Sequence, residues 1–513
     1  MTWTSLHVRL SWAVEDVDSF IADVLAPELA GRRADGQFAD WFYVRYWEDG
    51  PHLRIRLRDA TADLTGPLRD LVARADHPVV VSSDSWLPHG DVRETPYEPE
   101  VERYGGAAAL PVAEEVFCRS TDVAVAVLRS ARAPGAKFTA AVELVMATTI
   151  ALKVDRVEAA SWLRSLATGW RQVREAVTPP GLASHDAARR LHEARAAHLA
   201  ARWDRLESHA TGAVAYWADQ VRTDLPRYVW ASQLHMLFNR LGLDPEQERT
   251  ACRLVAMTAE APDGRTPFHE DGAAAPDRRY LAASRFHRGV LDQGPRDAAV
   301  TPTATAPWWQ DVPLPEGAPV SGSLADALLT RHTARGAEVS GPLDAGRLAT
   351  LLWTAQGALA DGRRPYPSAG ARHSARLRVV AWRVTGLEPG VYEVDEVRRT
   401  LVHVAAAPPA EDVRGTSMYF GAGPDLVDPA AMPAMLALYT RVGALREAYG
   451  LRALRLAFTE AGHLAQNLAL VAASSGLALG LIGGFYDDAA HDVLCLDGVQ
   501  DTLVYLMPLS SAG

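Results

Sequence analysis

Cysteine is nearly missing from this chain. Of 513 residues only Cys118, Cys252 and Cys495 carry a thiol, and they lie far apart. That spacing offers neither a disulfide framework nor a paired CxxC metal site, so no metal centre is expected. A basic excess is missing too. Lysine and arginine number 52 against 63 carboxylates, a formal net charge of −11. A non-specific nucleic-acid binder carries the opposite balance, so no direct nucleic-acid partner is expected, although local arginine clusters can still serve acidic ligands. No uninterrupted apolar run has membrane-spanning length. The most apolar stretch, Leu464 to Phe485, contains Gln466, Asn467, Ser474, Ser475 and several glycines. A buried helix followed by a strand accounts for it, and no membrane association is expected. The opening MTWTSLHVRLSW has no basic segment leading into an apolar one, so a secretory signal is not expected and a cytoplasmic protein is.

What is present is a globular composition, 48% hydrophobic, with length for roughly three domains of ordinary size or two larger ones. The seam is Thr301 to Gly322, TPTATAPWWQDVPLPEGAPVSG. Its prolines lack the N–H that a helix or ladder needs, which predicts an extended linker. Pro262 to Val300, ahead of it, is polar and carries aromatics at Phe268, Tyr280 and Phe286, with a short helix expected near Arg278 to Val290.

Upstream, Trp3 to Trp12 and Trp41 to Tyr46 alternate like strands, and Glu15 to Leu29 has a helical pattern. After the turn Glu48-Asp49-Gly50-Pro51 comes HLRIRLR. On a strand, His52, Arg54, Arg56 and Arg58 share one face and Leu53, Ile55 and Leu57 the other. Such a rack of guanidiniums suits a carboxylate by bidentate hydrogen bonding, and equally suits a solvated outer face. YEPEVERYGG places Glu100 three residues before Arg103, an arrangement that also fits a surface ion pair. Long helices are expected over Ala140 to Val154, Glu158 to Val177 and Ser184 to Arg205. In WASQLHMLFNRLG, Leu234, Leu237, Phe238 and Leu241 form a helical stripe, with His235 and Asn239 one turn apart on a neighbouring face.

In order, WFYVRYWEDGPHLRIRLR, ERYGG and the helix with His-Met-x-x-Asn-Arg resemble the glutamate-elimination domain of LanB-type lanthipeptide dehydratases and their thiopeptide relatives, over roughly residues 1–260. The resemblance implies removal of glutamate from a glutamylated Ser or Thr of a precursor peptide, leaving dehydroalanine or dehydrobutyrine. It places catalytic roles on Arg54, Arg56, Glu100, Arg103 and His235. The larger glutamylation domain of the lanthionine-forming members has no room here, which implies a separate glutamylation protein.

Downstream, a short helix from Ser323 runs into Arg331-His332-Thr333-Ala334-Arg335, a group fit to cage a phosphate or simply a charged helix end. A second helix is expected from Leu343 to Ala358. RRPYPSAGA follows, a loop whose small residues allow a flat ligand near the backbone. Strands are expected over Arg376 to Val384, Gly390 to Val394, Leu477 to Ile482 and Thr502 to Leu509. Helices are expected over Ala434 to Glu447 and Arg452 to Ser475, with Gly476 closing the latter. The segments RHTAR, RRPYPSAGA, GLEPGVYEVD, YGLRALRLAFTEAGHLAQNLAL and LGLIGGFYD resemble the SagB-type azoline dehydrogenases, a branch of the nitroreductase-like flavoproteins, from about Ser323 to the end. That implies FMN, a homodimer formed through this domain, and oxidation of thiazoline or oxazoline to thiazole or oxazole. Carried over, Arg331, His332, Thr333 and Arg335 hold the FMN phosphate and ribityl. Pro367, Ser368, Ala369 and Gly370 line the isoalloxazine, and Gly483 and Gly484 approach it from the other side. The family's Lys-Tyr pair is reduced to Ala448 and catalytic Tyr449; Glu460 and His463 are the candidates for the lysine's part.

The expectation is therefore an α+β protein. An elimination domain of sheet and long helices (1–260) leads through a connecting segment and linker (261–322) to a nitroreductase-like FMN domain (323–513). Together the two resemble the fused thiopeptide-maturation proteins of lactazole-type pathways. The implied partners are a ribosomally made precursor peptide, the glutamylation protein, and cyclodehydratase or leader-binding proteins. Two other readings stay open: an azoline dehydrogenase with an upstream peptide-binding scaffold, and a nitro- or quinone-reducing flavoprotein with an accessory domain.

Overall fold

The computed structural model describes residues 2–75, 77–80, 83, 85–169, 181–221, 224–261, 275–285 and 310–512. The chain divides into two compact units, Met1–Ala159 with Ala188–Gly264 and Ala160–Ala187 with Arg265–Gly513. Most of the segment Pro262 to Val300, with Phe268 and Phe286, and the first part of the seam, Thr301 to Trp309, lie outside the described residues. So does the end of the helix expected to reach Val177.

In the first unit, β1 (Trp3–Arg9) leads into α1 (Val14–Ser19), a π-helical turn (Phe20–Leu25) and α2 (Ala26–Ala34). Then come β2 (Asp40–Tyr46), β3 (His52–Arg58), α3 (Thr65–Arg74) and β4 (Val92–Glu94). The four strands form one antiparallel sheet in the order β2-β3-β1-β4. Leu53, Ile55 and Leu57 of β3 enter a core with Leu6, Val8, Phe20, Ile21 and Tyr43. The alternation of HLRIRLR is thus spent as the strand period dictates, apolar side inward. Helices α4 (Leu110–Ser130), α5 (Ala136–Ala151), α6 (Arg156–Thr168), α7 (Gly181–Ser208), α8 (Gly212–Gln220), α9 (Arg227–Leu241) and α10 (Pro245–Glu260) follow in the chain, most of α6 and the start of α7 being counted with the second unit. Helix α10 starts on a capping box: Asp244 accepts from the Gln247 N–H, the Gln247 side chain returns to the Asp244 N–H, and Pro245 sits at the first turn.

The second unit contains α11 (Pro276–Ala283), which takes up the start of the helix expected near Arg278, and then β5 (Gln310–Pro313) and α12 (Leu324–Thr330). After β6 (Leu343–Asp344) and α13 (Ala345–Gln356) come β7 (Ala375–Ala381), β8 (Val384–Thr385), β9 (Gly390–Asp395), β10 (Thr400–Ala405) and α14 (Ala410–Arg414). The chain ends with β11 (Ala434–Arg441), α15 (Val442–Tyr449), α16 (Ala453–Ser474), β12 (Leu477–Leu479), α17 (Asp487–Val493) and β13 (Asp501–Ser511). Seven strands form an antiparallel sheet in the order β12-β13-β11-β7-β9-β10-β5, and α13 and α16 supply side chains to the core on one of its faces.

Two expectations are corrected here. The helix expected over residues 434–447 is strand β11 followed by a two-turn helix, α15. All eight residues of β11 are buried, between β7 and β13. A strand covered on both faces loses its alternation and reads like a buried helix. The seam is also not linker throughout: Gln310–Pro313 pairs with β10, with Val312 opposite Leu401. Pro313 is tolerated because β5 is the edge strand.

Candidate functional site

Two groups of residues carry chemistry, one in each unit. In the first, the charged face of β3 is not a uniform rack. Arg58 pairs at 3.4 Å with Asp40, a buried carboxylate that also takes Arg33 at 3.1 Å and Arg119. His52 is buried and stacks on His7, with ring centroids 5.0 Å apart. Burial above all, and then the nearby cations, push His7 down to about 3; burial first, partly offset by the Gly50 carbonyl, pushes His52 down to about 4. His52 Nδ1 lies 2.9 Å from the Gly50 carbonyl and 2.8 Å from Arg9 Nη1, and its Nε2 accepts from Arg54 Nε at 3.2 Å. Arg54 also pairs with Glu48 at 2.8 Å and lies 3.4 Å over the Tyr46 ring. Its direction is therefore set by three neighbours.

Arg56, next on that face, has no such partners. Its guanidinium stands 4.7 Å from the Tyr97 ring and 5.4 Å from Phe42, and its Nε is buried without a hydrogen bond. Burial lowers its pKa, Tyr97 raises it, and Arg54 lowers it further. Arg103 pairs with Glu100 at 2.8 Å and donates to Ser232 of α9 at 3.3 Å. Burial works against the Arg103 charge, but Tyr104, Glu100 and Glu248 outweigh it and raise its pKa. One turn beyond Ser232, His235 Nδ1 lies 2.9 Å from Glu248 Oε2, a buried carboxylate on α10. Arg56, Glu100, Arg103 and His235 thus share one neighbourhood, with Arg54 beside it. An unprotonated carboxylate at Nδ1 takes that N–H and leaves Nε2 as the basic nitrogen. Sequence reasoning missed Glu248, Ser232, Tyr97 and Tyr104. The Asp-Pro-Glu-Gln start of α10 was the available signal for Glu248, because a capped helix there turns its first inward carboxylate toward α9.

In the second unit, the PSAG loop is tied down by Glu460 of α16. This buried carboxylate accepts from Ser368 Oγ at 2.7 Å, Ser374 Oγ at 3.2 Å and the Ala375 N–H at 2.9 Å. A carboxylate so committed is an anchor rather than a free base, and His463 is exposed on the same helix. Gly370, Ala371 and His373 all have positive φ, with backbone strain gathered at one loop. A Cβ on Gly370 would meet the Tyr449 hydroxyl at 2.3 Å, so Tyr449 reaches this loop and only glycine admits it. Ala448 beside it is buried. Pro367 is exposed and Ser368 and Ala369 are half-buried.

The RHTAR segment is bonded to the strand that precedes the glycine pair. The Ala334 N–H donates to the Leu479 carbonyl at 3.1 Å, just before Gly483-Gly484. His332 is held by Glu338 at 3.2 Å, which also accepts from the Arg335 backbone N–H at 2.8 Å, while among the described residues neither the Arg331 nor the Arg335 guanidinium has a carboxylate partner. A Cβ on Gly484 would lie 2.7 Å from the Tyr419 ring, so that backbone must stay bare. Helix α16 packs against α12, which leads into RHTAR, and also anchors PSAG. Half-buried Arg331, exposed Arg335, the half-buried Thr333 hydroxyl and the two bare-backbone loops fit a phosphate-bearing planar cofactor. Among the described residues no group of His, Cys, Asp and Glu side chains is placed to hold a metal ion, and no helix is long and apolar enough to cross a membrane.

One chain thus carries a four-stranded sheet with cationic and histidine groups and a seven-stranded sheet with a loop-rich candidate cofactor site. Residues 3–259 match the family described as lantibiotic biosynthesis dehydratase, C-terminal, and residues 328–510 match the nitroreductase family. The chain belongs to the lantibiotic dehydratase C-terminal family and carries a nitroreductase-family domain behind it. A protein of Methanocaldococcus jannaschii named as a nitroreductase is 29% identical over 187 residues, 36% of this chain and 89% of its own. Among solved structures, TsrL is 18% identical with a TM-score of 0.40, covering 51% of this chain and 95% of its own. The pyridine synthase TbtD from thiomuracin biosynthesis is 20% identical with a TM-score of 0.38, covering 51% and 99%.

Proposed function

We propose that this chain is a bifunctional enzyme of ribosomal peptide maturation. The residue 1–260 domain eliminates glutamate from glutamylated Ser or Thr, and the residue 323–513 domain oxidises thiazoline or oxazoline rings to azoles with FMN. The observation that carries the first half is the convergence of Arg56, Glu100, Arg103 and the His235–Glu248 pair. In the reaction the peptide Cα proton is removed, the Cβ–O bond breaks, and its electron pair leaves on the carboxylate of glutamate, giving dehydroalanine or dehydrobutyrine. His235 Nε2 moves the proton, with Glu248 fixing its ring. Arg56 and Arg103 hold charge as it develops on the enolate-like carbon framework and the leaving carboxylate. Glu100 keeps Arg103 in place, and Arg54, set by His52, Glu48 and Tyr46, lies beside this group.

In the second half, FMN would supply the two-electron oxidation by accepting hydride from the ring carbon. Arg331, Thr333 and Arg335 would hold its phosphate and ribityl with His332 alongside, Pro367, Ser368, Ala369 and Gly370 its ring system, and Gly483 and Gly484 the opposite side. Tyr449, at the edge of Gly370, would take the ring proton on its oxygen as it passes its own hydroxyl proton to solvent, and Glu460 would keep the loop in register with it. A homodimer through this domain, a separate glutamylation protein and a cyclodehydratase or leader-binding protein complete the cytoplasmic assembly, whose shared substrate is the precursor peptide. Fusion raises the effective concentration of each site for the other's product.

Purification with the visible spectrum recorded tests the flavin half: FMN at about one per chain is expected for one site per subunit. A colourless protein that also refuses added FMN contradicts it. Incubation with a peptide bearing glutamyl-serine tests the other half. Release of glutamate and appearance of dehydroalanine support it, and an intact ester returns the upstream domain to the role of peptide-binding scaffold.

A further inference from the structure

Arg240 lies five residues after His235 on α9 and is fully buried, at 0% exposure. None of its Nε, Nη1 and Nη2 has a hydrogen-bond partner. Its main chain carries the structural duty: the Arg240 carbonyl accepts from the Tyr43 hydroxyl at 2.8 Å and from Arg45 Nε at 3.2 Å. The side chain contributes nothing of that kind. Its guanidinium rests 5.2 Å from the Phe117 ring and 5.7 Å from Phe42. Burial pulls its pKa down to about 10, which still leaves it charged at neutral pH. The groups that act on it next are Tyr43, Tyr104, Cys118 and Arg56, none of them a carboxylate.

A sealed, unpaired cation is costly, and a hydrophobic side chain of the same volume would be more stable. Retaining it makes physical sense when an anion completes the site. The geometry identifies where. Arg56 shares the Phe42 ring with Arg240, at 5.4 Å, is only half-buried, and also has an unbonded Nε. Glu100, the carboxylate that acts on Arg56, is already paired with Arg103. Phe42, Tyr97, Tyr104 and Phe117 form the walls, in edge and tilted contacts. The result is an aromatic box with two guanidiniums whose neighbouring carboxylates are already engaged, Glu100 with Arg103 and Glu114 with Trp3 and Tyr97.

We propose that Arg56 and Arg240 form a receptor for a carboxylate of the glutamyl group, Arg56 touching the anion and Arg240 holding it from behind as a fixed buried charge. This rests on the elimination reading and makes Arg240 a positioning residue of that site.

The test measures L-glutamate affinity and the thermal midpoint on the full chain, for wild type, Arg240→Met, Arg240→Gln and Arg240→Lys. The expected result is that Arg240→Met melts above wild type yet binds L-glutamate at least tenfold more weakly, while Arg240→Lys, which keeps the charge, stays within about threefold of wild type. If the methionine variant fails to fold, Arg240→Gln decides by the same tenfold loss. Unchanged affinity without the charge overturns the proposal. So does lost affinity with a lowered midpoint, which assigns Arg240 to the core, and so does an equal loss in Arg240→Lys. The two readings separate cleanly. A wild type that binds glutamate through Arg240 but leaves a glutamylated peptide intact keeps the receptor and removes elimination. A wild type that eliminates while Arg240→Met binds glutamate normally does the reverse.

Discussion

Asn239 grips Arg45 at both of its backbone groups. Its Nδ2 donates to the Arg45 carbonyl and its Oδ1 accepts the Arg45 N–H, each at 2.8 Å. Arg45 lies on β2, the edge strand of the first sheet, so a side-chain amide stands where another strand's backbone would pair. The same contact fixes the register of α9, and with it His235 one turn earlier. Asn239→Ala leaves two edge groups without their partner and is expected to cost about 1–3 kcal/mol in denaturant unfolding of the first unit. Elimination falls with it at temperatures where the fold survives, because α9 loses its clasp. A variant with wild-type stability and wild-type rate would show that the clasp sets neither.

The His235–Glu248 pair gives a graded expectation. His235→Ala lowers elimination by about 10²–10⁴, the usual range for a lost proton-transfer group. Glu248→Gln keeps a hydrogen-bonding group at Nδ1 but no charge, so it costs less than His235→Ala while still slowing turnover. Rates on a glutamylated peptide, with glutamate release as readout, check the order.

The acid stability of the two units has opposite signs. His7 and His52 are pushed down to about 3 and about 4, from an ordinary 6.5. Between those values the unfolded chain binds protons that the folded chain refuses, so stability present above pH 6.5 is lost as pH falls toward 4 and then 3. In the second unit, burial first and then Asp497 raise Asp501 to about 7 from 3.8. There the folded form holds the extra proton, so stability present below pH 3.8 is lost as pH rises toward 7. Asp501→Asn is expected to raise the stability of the second unit at pH 8, and His52→Asn to flatten the acid slope of the first. Denaturation midpoints against pH read both.

The guanidiniums of Arg331 and Arg335 lack carboxylate partners among the described residues, which suits a phosphate ligand. Arg335→Ala is expected to weaken FMN binding about 10–100-fold, the loss of a charge-assisted contact, and to leave riboflavin affinity nearly unchanged. Glu460→Ala, which frees Ser368, Ser374 and the Ala375 N–H, weakens both flavins alike, because it loosens the loop rather than the phosphate cage. Flavin fluorescence titrations distinguish the two patterns.

Legibility in the sequence followed the strength of local periodicity. HLRIRLR could be placed on a strand with the right face inward because one face is apolar and the other is not. The long helix α16 was legible for the same reason. Strand β11 was not: AMLALYTR is apolar on both faces, and only its neighbours β7 and β13 make it a strand. The site was legible as residue types and not as partnerships. Arg58 reads like Arg54 and Arg56, but a buried Asp40 eighteen residues earlier consumes it. Glu460 reads like a base on an exposed helix, but three donors from a distant loop claim it. Arg240 reads like an ordinary helical arginine, and only the packing of Phe42 and Phe117 around it reveals an unmatched charge.

The most direct measurement uses one peptide bearing both a glutamyl-serine and a thiazoline, followed by mass spectrometry. Wild type is predicted to remove glutamic acid and two hydrogens. His235→Ala should remove only the hydrogens, and Arg335→Ala, at FMN concentrations below its weakened affinity, only the glutamic acid. A His235→Ala protein that eliminates at the wild-type rate, or a wild type that leaves either group untouched, contradicts the account of two active sites in one chain.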